Sequence, residues 1–208
     1  MISLKQFIEE QKKGVLHVFD IDDTMFHTTA RVRVRNSAGK IIRYLSNSQF
    51  NHYKLKAGEK FDFKEFKNAK KFKDESKPIH PIINKVKRIQ GNINKHPNSR
   101  VIINTARADF DDKHTFLDTF RKQDIDIDKI HVHRAGNIAG DDLPADKKVK
   151  IIKKYIDKHS HKKVVMYDDS KTNLQALINM KKEYPDVKFI AFHVGPDGAM
   201  TRYKGETK

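Results

Sequence analysis

Apolar residues in this chain gather in short continuous runs, separated by longer stretches in which they recur with a helical period. Val15-Leu16-His17-Val18-Phe19, Val101-Ile102-Ile103-Asn104, Val164-Val165-Met166-Tyr167 and Lys188-Phe189-Ile190-Ala191-Phe192 have the length and composition of strands buried on both faces. Ile130-His131-Val132-His133 is a weaker run of the same kind. Between them, Pro81 to about Lys95 carries Ile82, Ile83, Val86 and Ile89 at helical spacing, and Asp111 to Gln123 carries Phe116, Leu117 and Phe120. Asp146 to His159 carries Val149, Ile151, Ile152, Tyr155 and Ile156, and Lys171 to Tyr184 carries Leu174, Leu177 and Ile178. A further helix runs from the Ser3 cap to about Lys13, where Gly14 ends it. Strands alternating with helices predict an α/β fold of Rossmann-like type, a mostly parallel sheet with helices on both faces.

The stretch after the first strand breaks this rhythm. Arg31-Val32-Arg33-Val34-Arg35 alternates with period two, Asn36-Ser37-Ala38-Gly39 is turn chemistry, and Ile41-Ile42-Arg43-Tyr44-Leu45 reads as a returning strand. A short helical pattern near Ser46–Tyr53, a break at Gly58 and an aromatic-rich helix around Asp62–Phe72 follow. Residues 26–77 therefore form a small α+β insertion, and residues 1–25 and 78–208 form the main domain.

Composition narrows the chemistry. The chain has 208 residues and no cysteine, which removes disulfides and thiolate metal sites. No apolar run reaches membrane-spanning length, and the N-terminus lacks the uninterrupted apolar stretch of a secretory signal, so a cytoplasmic protein with no membrane partner is expected. Forty-three Lys and Arg face 27 Asp and Glu, a net charge of +16. Between Arg31 and Arg88 basic residues outnumber acidic ones more than threefold. Such a field suits phosphorylated small molecules or nucleic acid, or simply solvates the surface.

The candidate chemistry sits at strand ends. The first strand finishes in Asp20-Ile21-Asp22-Asp23-Thr24, three crowded carboxylates that call for a neutralising hard cation unless they merely cap the next segment. Open α/β sheets bind ligands at this rim. The run ending at Asn104 delivers Thr105-Ala106-Arg107, and the run ending at Tyr167 delivers Asp168-Asp169-Ser170. Lys147 and Lys148 open the helix ahead of the latter strand. Lys148 sits three and four positions before Ile151 and Ile152. His17 is expected to be a satisfied core histidine, and His131 and His133 lack a carboxylate at zinc-site spacing. No Gly-x-x-x-x-Gly-Lys-Ser/Thr loop is present.

Together these elements resemble the haloacid dehalogenase superfamily of phosphohydrolases. Asp20-x-Asp22-x-Thr24 matches the first motif, Thr105 the second, a lysine the third and Asp168-Asp169 the fourth, over about residues 15–24 and 101–192. The resemblance implies a phosphatase. Asp20 would be the nucleophile and Asp22 the acid and base, and Thr105 and Lys148 would hold the phosphoryl oxygens, with Lys147 the alternative lysine. Mg²⁺ would lie among Asp20, the Asp22 backbone carbonyl, Asp168 and Asp169. An acid at Asp22 favours phosphate chemistry over dehalogenation. Arg107 either extends the phosphate site or pairs with Asp109 or Asp111.

In this superfamily an insertion in this position commonly forms a cap over the site. The Arg31, Arg33 and Arg35 side chains share one face of their strand and are expected to look outward. Phe61, Phe63, Phe66 and Phe72 are expected to be the cap's own core. The first expectation for function is a phosphatase of a small phosphorylated metabolite or nucleotide. The alternatives are a polynucleotide 3′-end phosphatase using the basic cap, and a non-catalytic binding or structural protein of the same fold.

Overall fold

The computed structural model of the chain describes residues 14–93, 95–96, 98–140 and 142–206. The helix expected between Ser3 and Lys13 lies outside them.

A six-stranded sheet forms the centre. β1 (Val15–Phe19) pairs in parallel with β7 (Arg100–Thr105) on one side and β9 (Lys163–Asp168) on the other. β8 (His131–Arg134) adds in parallel beyond β7, and β10 (Lys188–Val194) in parallel beyond β9. β11 (Met200–Tyr203) closes the far edge antiparallel to β10, a strand the apolar pattern did not signal because its central residues, Thr201 and Arg202, are polar and exposed. The strand order is β11-β10-β9-β1-β7-β8. The fold is thus α/β with a mostly parallel sheet.

Alternation along the strands divides the core between two faces. Phe19, Ile103, Val165 and Tyr167 face α3 (His80–Ile93) and α4 (Lys113–Arg121), which contribute Ile82, Ile83, Val86, Phe116 and Phe120. Leu16, Val18, Ile102, Val164 and Met166 face α5 (Pro144–His159) and α6 (Lys171–Asn179), which contribute Ile151, Ile152, Ile156, Leu174 and Leu177. The helix ends follow cap chemistry. Asp112 accepts from the His114 and Thr115 amides, so α4 starts two residues later than its apolar stripe suggested. Past α6 the chain tightens into a 3₁₀ turn at Met180–Lys182 instead of running on to Tyr184.

The insertion holds β2 (Phe26–His27), β3 (Val32–Arg35), β4 (Ile41–Leu45), α1 (Asn47–His52), β5 (Lys60–Asp62), α2 (Ala69–Glu75) and β6 (Lys77–Pro78). β3 is central in a three-stranded antiparallel sheet, flanked by β4 and β5. Val32, Val34, Leu45 and Phe66 form its small core. The single helix expected around Asp62–Phe72 is instead the end of β5, a 3₁₀ turn at Lys64–Lys67 and α2. Asn68 breaks the run, its side chain accepting from the Lys71 amide as the cap of α2.

The four phenylalanines divide as well. Phe66 packs in the cap, whereas Phe72 enters the main core, within 5.5 Å of both Phe26 and Phe116. Phe61 is partly buried, and Phe63 is 43% exposed, so it is not core. His17 also departs from expectation, since its Nδ1 is buried without a hydrogen-bond partner.

Candidate active site

Parallel pairing puts the C-terminal ends of β1, β7 and β9 on one rim, where Asp20, Thr105 and Asp168 emerge. Chain direction across the sheet reverses at β1, the point at which such folds leave a crevice. Behind the rim, Phe19, Tyr167 and Phe192 from three adjacent strands stack at 4.4 and 5.3 Å between ring centres, their planes nearly parallel. This rigid stack fixes the strand ends that carry the aspartates.

The turn after β1 is wound tightly around one carbonyl. The amides of Thr24, Met25 and Phe26 all donate to Ile21 O, and Asp23 takes a left-handed conformation at φ 54°. That winding returns Thr24 towards β9, where its hydroxyl donates to Asp169 Oδ1 at 3.3 Å and accepts from the Asp169 amide at 3.0 Å.

Asp20, Asp168 and Asp169 each offer an oxygen within 4.8 Å of the others. Among the described residues this is the one such group of potential metal ligands. Lys148 is the cation set into it, with Nζ 2.8 Å from both Asp20 Oδ1 and Asp168 Oδ2, and it is 1% exposed. One ammonium for three carboxylates leaves the cluster over-negative. Burial, then repulsion from Asp168 and Asp22, outweigh Lys148 and push Asp20 up to about 7. Burial, with Asp168 and Asp20, pushes Asp169 up to about 8. Burial alone would lower the Lys148 ammonium, but Asp168 and Asp20 hold it above the ordinary lysine value. An all-oxygen donor set with excess negative charge fits a hard divalent cation.

Asp168 is the most constrained of the three. Its oxygens accept from Lys148, from the Ser170 amide at 2.9 Å and from Asn173 Nδ2 at 2.9 and 3.1 Å. Asp20 and Asp169 keep more open coordination.

Asp22 is held apart from this group. Arg107 donates Nε to its Oδ2 at 2.8 Å and Nη2 to its Oδ1 at 2.6 Å, and the Thr28 hydroxyl donates to Oδ1 at 2.6 Å. Burial alone would raise Asp22, but the charge and hydrogen bonds of Arg107, with Thr28 helping, hold its carboxyl below the usual range. Arg107 is buried, gives Nη1 to Phe66 O at 2.9 Å and lies 4.8 Å from the centre of the Phe66 ring. It pairs with neither Asp109 nor Asp111. Asp109 binds Arg134, and Asp111 accepts from the Ala69 amide.

Thr105 is fully buried and its hydroxyl oxygen accepts from the Arg107 amide at 3.2 Å, so it shapes the turn that carries Arg107. Lys147 is half-buried and lines the cavity that opens over Asp20. That cavity, of about 460 Å³, is floored by Asp20, Asp169 and Lys148 and roofed by the cap. Gly136 forms part of its wall, where a Cβ would stand 2.5 Å from Ala106 O. Arg31, Arg33 and Arg35 do not line it. Arg33 pairs with Glu65 at 2.9 Å and Arg35 with Asp62 at 2.7 Å.

His131 and His133 share the Tyr155 hydroxyl at 2.9 and 2.7 Å. The sequence pattern missed Thr28 and Asn173, which carry no motif, and gave Thr24 no role. The only available hint was Asn173's place in the first turn of a helix beginning next to Asp168-Asp169. No helix among the described residues is long and apolar enough to cross a membrane. In comparisons with known proteins, no family model, no curated protein and no solved structure matches this chain.

Proposed function

We propose that this chain is a Mg²⁺-dependent phosphatase of the haloacid dehalogenase type, with a Rossmann-like core, acting on small phosphomonoesters through Asp20. The observation that carries this reading is the buried Asp20 carboxylate at the floor of a cavity, in contact with Lys148 and with an oxygen within 4.8 Å of one on each of Asp168 and Asp169.

In the first step Asp20 attacks phosphorus in line. The P–O bond to the leaving group breaks, its electron pair goes to the leaving oxygen, and that oxygen takes up a proton from solvent or from a protonated Asp22. In the second step water attacks the phosphorus of the acyl phosphate on Asp20, giving inorganic phosphate and the free carboxylate. Lys148 lies against Asp20, where it can hold a phosphoryl oxygen, and Lys147 adds positive charge from the cavity wall. Asp20, Asp168 and Asp169 would hold the metal ion, which supplies charge neutralisation for nucleophile and phosphate. Asp22 borders the cavity and would take the proton of the attacking water once freed from Arg107. To donate one in the first step it must likewise leave the arginine and be protonated.

Action on polynucleotide ends has less support, because Arg33 and Arg35 are already paired with cap carboxylates. A purely structural role leaves unexplained why three carboxylates gather within 4.8 Å with only one lysine, on two of them, to offset their charge. The test is Mg²⁺-dependent phosphate release from 4-nitrophenyl phosphate, with Asp20→Asn as control. Release that persists in D20N, or no release from the intact chain with Mg²⁺, overturns the proposal.

A further inference from the structure

The cavity has two chemically different ends. Its floor is charged, with Asp20, Asp169 and Lys148, while its roof is apolar and comes from the cap: Val32, Phe50, Phe63 and Phe66. Phe66 is buried and its ring is engaged by the Arg107 guanidinium, so it has little left to offer a ligand. Phe63 differs. It is 43% exposed, its ring meets Phe50 edge-on at 5.5 Å and Phe66 at 6.3 Å, and it borders the cavity. A large apolar ring left open to water inside a cleft, next to a second ring, is a surface that a flat ligand ring covers with gain. A bare sugar phosphate or glycerol phosphate has no aromatic ring to lay against it. At about 460 Å³ the cavity lies within the range of sites for single small ligands, ~300–1,000 Å³.

We propose that the leaving group of the substrate carries a flat aromatic ring, a nucleobase or a ring of similar size, received by Phe63 and Phe50 while the phosphate sits at Asp20; this rests on the phosphatase reading above. The Phe63 face supplies stacking, which accepts any base because every base has a π-face. Asn47 and Lys67, also on the cavity wall, stand as polar contacts around the ring.

The test compares adenosine 5′-monophosphate with ribose 5-phosphate, which share the phosphorylated ribose and differ at C1, where one carries the base and the other a hydroxyl. On the intact chain with Mg²⁺, kcat/KM is expected to favour the nucleotide by about tenfold or more, the scale of one base–aromatic stack. Phe63→Ala is expected to lower that ratio about fivefold or more, and Phe63→Leu, which keeps apolar bulk without a ring, to lower it as well. Tyr44→Ala removes an exposed cap aromatic outside the cavity and leaves the ratio unchanged. The same two ligands are titrated calorimetrically into Asp20→Asn protein, so that the ring is tested without turnover. If no monophosphate releases phosphate, the phosphatase reading fails, and the two dissociation constants alone decide the ring. Equal handling of both ligands by the unmodified cap, or an equal loss for both in F63A and F63L, overturns the inference.

Discussion

Arg107 and Asp22 are 85 residues apart in the chain and meet in a two-pronged ion pair, Nε to Oδ2 at 2.8 Å and Nη2 to Oδ1 at 2.6 Å. The arginine also donates to the Phe66 carbonyl, so one buried guanidinium ties the β1 turn, the β7 turn and the cap together. Removing it leaves a largely buried carboxylate without its cation. Arg107→Gln is expected to lower stability by about 3–5 kcal/mol. Asp22→Asn added to it should recover a large part of that loss. A urea-unfolding double-mutant cycle measures the coupling, and additive effects of the two substitutions would refute the pairing.

Lys148 and Lys147 are neighbours in sequence with opposite surroundings. Lys148→Met strips the ammonium from between Asp20 and Asp168 and should destabilise by about 3–5 kcal/mol in the absence of divalent cations. Lys147→Met, on the half-buried cavity wall, should stay within about 0.5 kcal/mol. Comparable unfolding midpoints for the two variants would contradict this placement.

Three carboxylates gathered within 4.8 Å repel one another, so in solution without a divalent cation the cluster weakens the fold. Asp169→Asn removes a carboxyl that folding pushes up to about 8 and keeps an oxygen that the Thr24 hydroxyl can still reach. Without divalent cations the variant is expected to be more stable than the parent, by about 1 kcal/mol or more. Adding Mg²⁺ should raise the melting temperature of the parent and do little for the variant. Thermal denaturation with and without Mg²⁺ checks both, and a parent chain indifferent to the ion would count against a metal centre.

His17 gives acid sensitivity a specific source. Burial first, then the charges of Lys163 and Lys85, push its imidazole down from 6.5 to about 4. The unfolded chain binds the proton as pH falls through 6.5, and the folded chain does not until about 4. The neutral-ring contribution is therefore fully present above pH 6.5 and shrinks across that window, by about 1–3 kcal/mol in all. His17→Leu cannot take up the proton. Its urea midpoint should fall less than that of the parent between pH 7 and about pH 4.5. Parallel pH curves for the two proteins would exclude His17 as the cause.

The periodicity of the chain determined most of the main fold. Runs such as Val164–Tyr167, apolar at every position, are stable only inside a covered sheet, and their spacing by helices makes the sheet parallel. A parallel sheet then sends Asp20, Thr105 and Asp168 to one rim whatever the loops do, so their proximity was legible before any coordinates. The cap was legible only in part, because Phe61–Phe72 has helical spacing but Asp62 is held by Arg35 and Asn68 caps its own turn. Tertiary structure alone decided which groups within reach become partners. Thr24 and Asp169 meet across 145 residues, and Arg107 turns to Asp22 instead of the nearer Asp109. Whether Phe63 joins a core or walls a cavity likewise depends on what the rest of the chain packs against it. Local pattern follows from backbone geometry, which each short segment carries within itself. The choice of a charge partner or of an exposed ring depends on burial and distance, and those exist only once remote segments have been packed together.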